Sequence, residues 1–520
     1  TLEREIDEEG RATRYEYDEQ GRRTRACREH VDPDSGARGE VCTRYEHDAR
    51  GLVIDVYDAL GRRTHVDFDE WGRAWRVTDA DGFSTTRLFD GEGSVVDARD
   101  PEGQHQLTFR DLLGRVLRVT DRTGRDVQHV REYDANGNPT VVENGRGYRT
   151  HITYDAEDRE ETITEGLVAS GAEEGDAAAP RTWSILERDG AGNPLRLQDA
   201  LERVTRISYN DNALPATITD PLGQESRRSY TRTGQVRTET DRRGTTTRYE
   251  YDGRDRLHRV IDANGDAVEY RYDRVGNVRF VRDRRGIETE TRYDDLDRPI
   301  RVFHGGERVQ SMAYDAAGQL TSVANGRDHV TRYRDYDGRG NARTVEHPDG
   351  TTESYSFDAL GRVATSTNEE LEETVFRYDA EGRIASVTFA GETASFRYDV
   401  HGNLVELTRP ESQPGGRNAG ETRVMHYDRF DRLTRVIEGG LETAYEYDAA
   451  DNLRHQRDPL GRHVEYTYDL LDRRVSHIQH RPEAEGPPLV SSVEEYDPEG
   501  HPLRLRNPLG EETRFEYDVL

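Results

Sequence analysis

Four Asp-Pro-x-Gly motifs, led by Asp100, Asp220, Asp458 and Asp497, carry carboxylates of the kind an acid–base dyad uses. The same residues meet the demands of a type I turn, with Asp first, Pro second and Gly fourth. Turn chemistry accounts for every residue of the motif, so it outweighs catalysis. His477 and His480, in "SHIQH", stand three apart and would face opposite sides of a strand. No Cys, His or carboxylate cluster accompanies them, as a zinc site requires. Cys27 and Cys42 flank a loop symmetrically and could face each other across a hairpin. Directly opposed strand positions fit disulfide geometry poorly, so a bridge and two packed thiols both stay open. All 74 basic residues are Arg, which rules out a lysine Schiff base. There is no phosphate-loop Gly-Lys-Ser/Thr, no H-E-x-x-H and no G-x-S-x-G. The expectation is a scaffold rather than an enzyme, with no catalytic residue, no metal ligand and no cofactor.

What positions these residues is a repeat. An aromatic-Asp dipeptide returns about every 21 residues, at Tyr251, Tyr272, Tyr293 and Tyr314 and onward to Tyr517, and Tyr230 holds the same register before Thr231. Between these copies lies a second Asp-x-x-Gly series, as at Asp58, Asp79 and Asp100. Asp accepts a bond from a backbone N–H two residues on, and Gly supplies the positive φ that closes the hairpin. Where Gly is missing, Asp255, Asp297, Asp431 and Asp472 take its place, and Asp tolerates positive φ. Between turns, Val268, Tyr270 and Tyr272 alternate with Glu269 and Arg271, the period of a half-buried strand. The return strand is less regular. Leu257 and Val260 are three apart, which means opposite faces or a bulge. The defining turn and strand positions are represented by Tyr251, Asp252, Tyr272, Asp273, Gly276, Asp283, Gly286, Tyr293, Asp294, Tyr378, Asp379 and Gly382.

The predicted architecture is all-β. Tandem hairpins of about 21 residues form one long antiparallel strip over residues 1–520, about 23 repeats in all. That explains how a chain with 32% apolar and 34% charged residues folds without one large core. Extra residues near 30–41, 165–183, 409–422 and 480–490 all replace the second turn and are expected as solvent loops on one rim. Neither end carries a polar cap, so the chain is expected to be a section of a longer protein. The net charge of -30 argues against nucleic acid and anionic membranes as partners. No stretch is apolar enough for a membrane span, and the N-terminal residues are not a signal peptide.

"YDALGRRTHVDFDEWGRAWRVTDADG" (Tyr57–Gly82) and "DPLGRHVEYTYDLLDRRV" (Asp458–Val475) resemble the Rhs/YD-repeat family. That family includes bacterial Rhs polymorphic toxins, subunits of insecticidal toxin complexes and teneurins. The resemblance implies a strip that coils into part of a hollow β-shell, a cocoon around a C-terminal toxic domain. It also implies secretion or injection, often by a type VI apparatus, with spike and adaptor or chaperone proteins as partners. Many members end the shell with a self-cleaving aspartyl-protease-like site built on closely paired D-P-x-G motifs. Here Asp458 and Asp497 lie far apart and Asn507 replaces Asp in "NPLG", so that role is carried to no residue. The alternative function is an extracellular adhesion or carbohydrate-binding array with exposed aromatic rings. Only Trp71, Trp75 and Trp183 are tryptophans, which disfavours it.

Overall fold

A computed structural model describes residues 2–31, 36–168, 178–410, 421–481 and 486–518. It contains 46 strands in one antiparallel sheet. Among the described residues there is no helix, and hence none long and apolar enough to cross a membrane. Two compact units are formed, each from two distant stretches of chain. The first joins Thr1–Leu107 with Ala267–Gly391, and the second joins Thr108–Asp266 with Glu392–Leu520.

The irregular return strand is bulged. Strand β22 (Thr246–Tyr251) pairs with β23 (Leu257–Ile261) so that Tyr249 faces Val260 and Tyr251 faces Leu257, with a register shift between Glu250 and Tyr251. The extra residue brings Leu257 and Val260 onto the same face, opposite the two tyrosines. Met312 against Val323 and Tyr314 against Leu320 repeat the arrangement, as do Phe376 against Val387 and Tyr378 against Ile384. A strand with a spacing of three thus packs one apolar face.

The tyrosine of a Tyr-Asp dipeptide also ties its repeat to the one before. Tyr251 donates its hydroxyl to the Val236 carbonyl at 2.7 Å, Tyr293 to Val278 at 3.0 Å and Tyr378 to Val363 at 2.8 Å. Partial burial raises the pKa of all three phenols. Among the described residues the buried apolar side chains are only Ala12, Cys27, Val130 and Val141. Nine buried aspartates outnumber them, including Asp121, Asp220, Asp294, Asp337 and Asp428. Stability therefore rests on half-buried aromatic rows and satisfied turn carboxylates.

Strands reach into the inserted stretches. Strands β3 (Arg23–Val31) and β4 (Arg38–His47) stay paired as far as Val31 opposite Arg38. Strand β15 (Glu160–Val168) likewise pairs to its end, with Val168 opposite Tyr148. The tips of the four insertions, residues 32–35, 169–177, 411–420 and 482–485, lie outside the described residues.

Candidate functional site: the turn rims

The Asp that opens each turn acts as a local hub. Asp294 Oδ1 accepts the N–H groups of Leu296 (2.9 Å) and Arg298 (3.0 Å), while Oδ2 accepts Arg298 Nε at 2.7 Å. Asp252 and Asp379 make the same set, with Arg256 and Arg383 as the arginines. Asp283 has no arginine four residues on; it caps Arg285 N and Ile287 N and meets only the exposed Arg285 guanidinium, at 3.4 Å. Asp273 departs slightly, since it takes the Gly276 N–H on its side chain at 2.8 Å. Gly276, Gly286 and Gly382 have φ of 110°, 82° and 85°, and Asp255 and Asp297 adopt 60° and 65° in the equivalent place. The hydrogen bond from Arg256, opposed by partial burial and joined by backbone donors, holds the Asp252 carboxyl down at about 2. In Asp283 and Asp18 the backbone N–H donors are the largest cause of a lowered pKa.

The arginine after the turn has a second task that spacing did not reveal. Arg298 Nη1 donates to the carbonyl of Asp315, the next turn of its kind, at 3.0 Å, and its guanidinium lies 4.8 Å from the centre of the Tyr314 ring. Arg473 treats Asp497 and Tyr496 alike, at 3.0 and 4.6 Å. One planar cation thus caps its own turn, bridges to the next and covers the next aromatic ring. The Arg that recurs after the Gly or Asp closing each turn was the available signal.

Within each unit the two turn series meet. In the first, Arg11 Nη2 reaches Asp297 Oδ1 at 2.8 Å, Arg339 Nε reaches Asp79 Oδ2 at 2.5 Å and Arg362 Nη2 reaches Glu102 Oε1 at 2.8 Å. In the second, Arg146 pairs with Asp431 at 2.7 Å, Arg181 with Asp451 at 2.6 Å and Arg203 with Asp472 at 2.7 Å. The Arg242 N–H donates to Glu499 Oε1 at 2.6 Å. In each pair the aromatic-Asp turn meets a turn of the other series, except that Arg181 lies at the start of strand β16 (Arg181–Arg188). Sequence separations stay between 257 and 286 residues.

The remaining sequence candidates fall into place around these rims. Asp100, Asp220, Asp458 and Asp497 all open turns and accept backbone N–H groups. Asp220 and Asp497 are approached by neighbouring arginines, Arg242 at 3.1 Å and Arg243 at 3.6 Å, which suits ion pairing rather than proton transfer. His477 stacks on Tyr466, whereas His480 stacks on His463. Cys27 and Cys42 are register partners with Cα atoms 4.1 Å apart, and their sulfurs are joined. In protein purified without reductant, alkylation under denaturing conditions is expected to label neither cysteine. Mass spectrometry checks this, and two labels would show packed thiols.

Tandem bulged hairpins, stapled by Asp hubs and arginines and locked rim to rim, define an all-β repeat protein of the YD type. Two family models match it: teneurin YD-shell over residues 231–369 and 352–483, and RHS repeat over residues 2–26. The chain belongs to the Rhs/YD-repeat family. No curated protein matches it. Among solved structures, a Tc holotoxin pore from Photorhabdus luminescens is 17% identical with a TM-score of 0.61, over 98% of this chain and 27% of that one. A TcdB2–TccC3–Cdc42 crystal structure is 16% identical with a TM-score of 0.56, over 96% of this chain and 31% of that one. A TcdB2–TccC3–TEV crystal structure gives 14% and 0.52, over 98% and 34%. The chain therefore spans between 27% and 34% of the length of these structures, and the likeness is one of fold.

Proposed function

We propose that this chain is a wall section of an Rhs-type toxin shell that encloses and delivers a C-terminal toxic domain of its parent protein. The role is structural and non-catalytic. The observation that carries it is the rim-to-rim seam. Hairpins 260 to 286 residues apart are held edge to edge by arginine–carboxylate pairs, as a container wall needs and a free repeat array does not. Family membership and the fold shared with Tc toxin structures support the same reading. Delivery would follow secretion or injection by a bacterial apparatus, with spike and adaptor or chaperone proteins as transient partners.

The adhesion or carbohydrate-binding alternative requires aromatic rings open to sugars. The Tyr hydroxyls donate to backbone carbonyls and the rings are half-buried, which leaves them poorly placed for that task. Limited proteolysis of the full-length parent decides between the two. The downstream domain is expected to resist cleavage until denaturant opens the array. Cleavage as fast as that of the isolated domain would overturn the shell reading. Glycan binding that disappears on Tyr→Ala substitution would favour the alternative.

A further inference from the structure

In one turn the first residue is neither Asp nor its usual stand-ins Asn and Thr. In the turn His347–Gly350 the Asp position is held by His347, and the backbone still closes, with His347 N bonded to Thr351 O at 2.9 Å and Gly350 N to His347 O at 3.0 Å. Imidazole does not serve as the cap here. Asp349 does, accepting the N–H and hydroxyl of Thr351 at 3.0 and 2.7 Å. The histidine is thereby released from turn chemistry.

Its side chain turns instead toward two carboxylates. His347 Nε2 lies 3.4 Å from Glu353 Oε1 and 3.4 Å from Glu369 Oε1. Although Nε2 is enclosed, it makes no hydrogen bond. The three ligand atoms all fall within 4.8 Å of one another. Ligands about 2.0–2.2 Å from a tetrahedral zinc stand about 3.3–3.6 Å apart, so both measured separations are tetrahedral edges. The residues come from three successive pieces of chain: the turn, strand β32 (Thr352–Phe357) and the turn after β33 (Val363–Thr367). The Tyr355 hydroxyl donates to the other oxygen of Glu353 at 2.5 Å, the outer-shell bond that orients a ligating carboxylate.

We propose that His347, Glu353 and Glu369 form a binding site for Zn2+ or a similar first-row divalent cation, with the fourth position open to water. The cation joins two neighbouring hairpins on one rim. One imidazole and two carboxylates suit such an ion. Three ligand atoms are too few for Ca2+, and Mg2+ demands octahedral oxygen geometry. Tyr355 is a positioning residue.

The test is calorimetric titration of the chelator-stripped 520-residue protein with ZnCl2, together with visible absorption of the Co2+ complex. One saturable equivalent and a tetrahedral Co2+ band are expected. His347→Gln and Glu353→Gln should abolish both signals, and Tyr355→Phe should weaken binding about tenfold. His463→Ala, which removes the other histidine cluster, should leave them intact. Each variant is checked for an unchanged β-sheet circular dichroism spectrum without metal. Absence of binding, equal competition by Ca2+, or an isotherm unchanged by His347→Gln would each overturn the proposal, leaving a bare histidine–carboxylate contact.

Discussion

Between pH 9 and pH 5 the array is expected to hold its structure, and between about pH 4 and about pH 2 to lose it cooperatively. The carboxyls of Asp18, Asp134, Asp189, Asp252 and Asp283 all titrate below their unfolded value, Asp252 at about 2. A depressed folded-state pKa means stability that is fully present above the unfolded pKa of 3.8 and lost as pH falls through the folded values. Each turn contributes a little, but the repeats share the device, so the losses arrive in one narrow interval. Tyrosines supply the opposite limb. Burial raises Tyr251, Tyr293 and Tyr378, so their contribution is complete below about pH 10 and fades above it. Guanidinium midpoints measured against pH should show a plateau with both edges. A fall already near pH 6 would shift the cause to His426 and His463, whose pKa burial lowers, so that acid charges them at a cost to the fold.

What could be read from the chain was whatever is local. The turn leads follow from Asp and Gly spacing because a turn is closed within five residues. Asp255, Asp297, Asp431 and Asp472 could be assigned positive φ, and all four adopt it. The tyrosine face followed from period two. The bulge opposite Tyr251 could be stated only as one of two options, because spacing alone does not tell a skipped residue from a flipped face. The partner of each rim was invisible. Arg203 and Asp472 are 269 residues apart, and every turn offers a similar Arg and Asp, so nothing local selects that pair. His347 was passed over because only Glu353 lies in its own hairpin, and Glu369 reaches it from the next one.

Asp294→Ala is expected to destabilise its region by about 3–5 kcal/mol, because it removes one half of a buried ion pair. The Asp294 side chain is 1% exposed and Arg298 is 15% exposed. Removing the carboxylate strands a buried guanidinium and two backbone N–H groups together. Asp283→Ala should cost far less, since that carboxylate is 37% exposed and its ion-pair partner, Arg285 at 3.4 Å, is 79% exposed. Asp294→Asn should fall between them. It keeps an acceptor for the N–H groups but loses the charge, as Asn210 does naturally with Asn212 N and Leu214 N. Stability in a repeat array is a sum of neighbour terms, so the damage should be local. Hydrogen exchange is expected to speed up across β25 (Val278–Arg282) to β28 (Glu307–Tyr314), through the Arg298 bridge to Asp315. It should also speed up around Arg11, whose Nη1 donates to the Asp294 carbonyl and Nη2 to Asp297. Faster exchange at Arg11 would show that the rim contact and the turn are energetically coupled. Equal losses for Asp294→Ala and Asp283→Ala would mean that the backbone cap, rather than the buried pair, carries the turn.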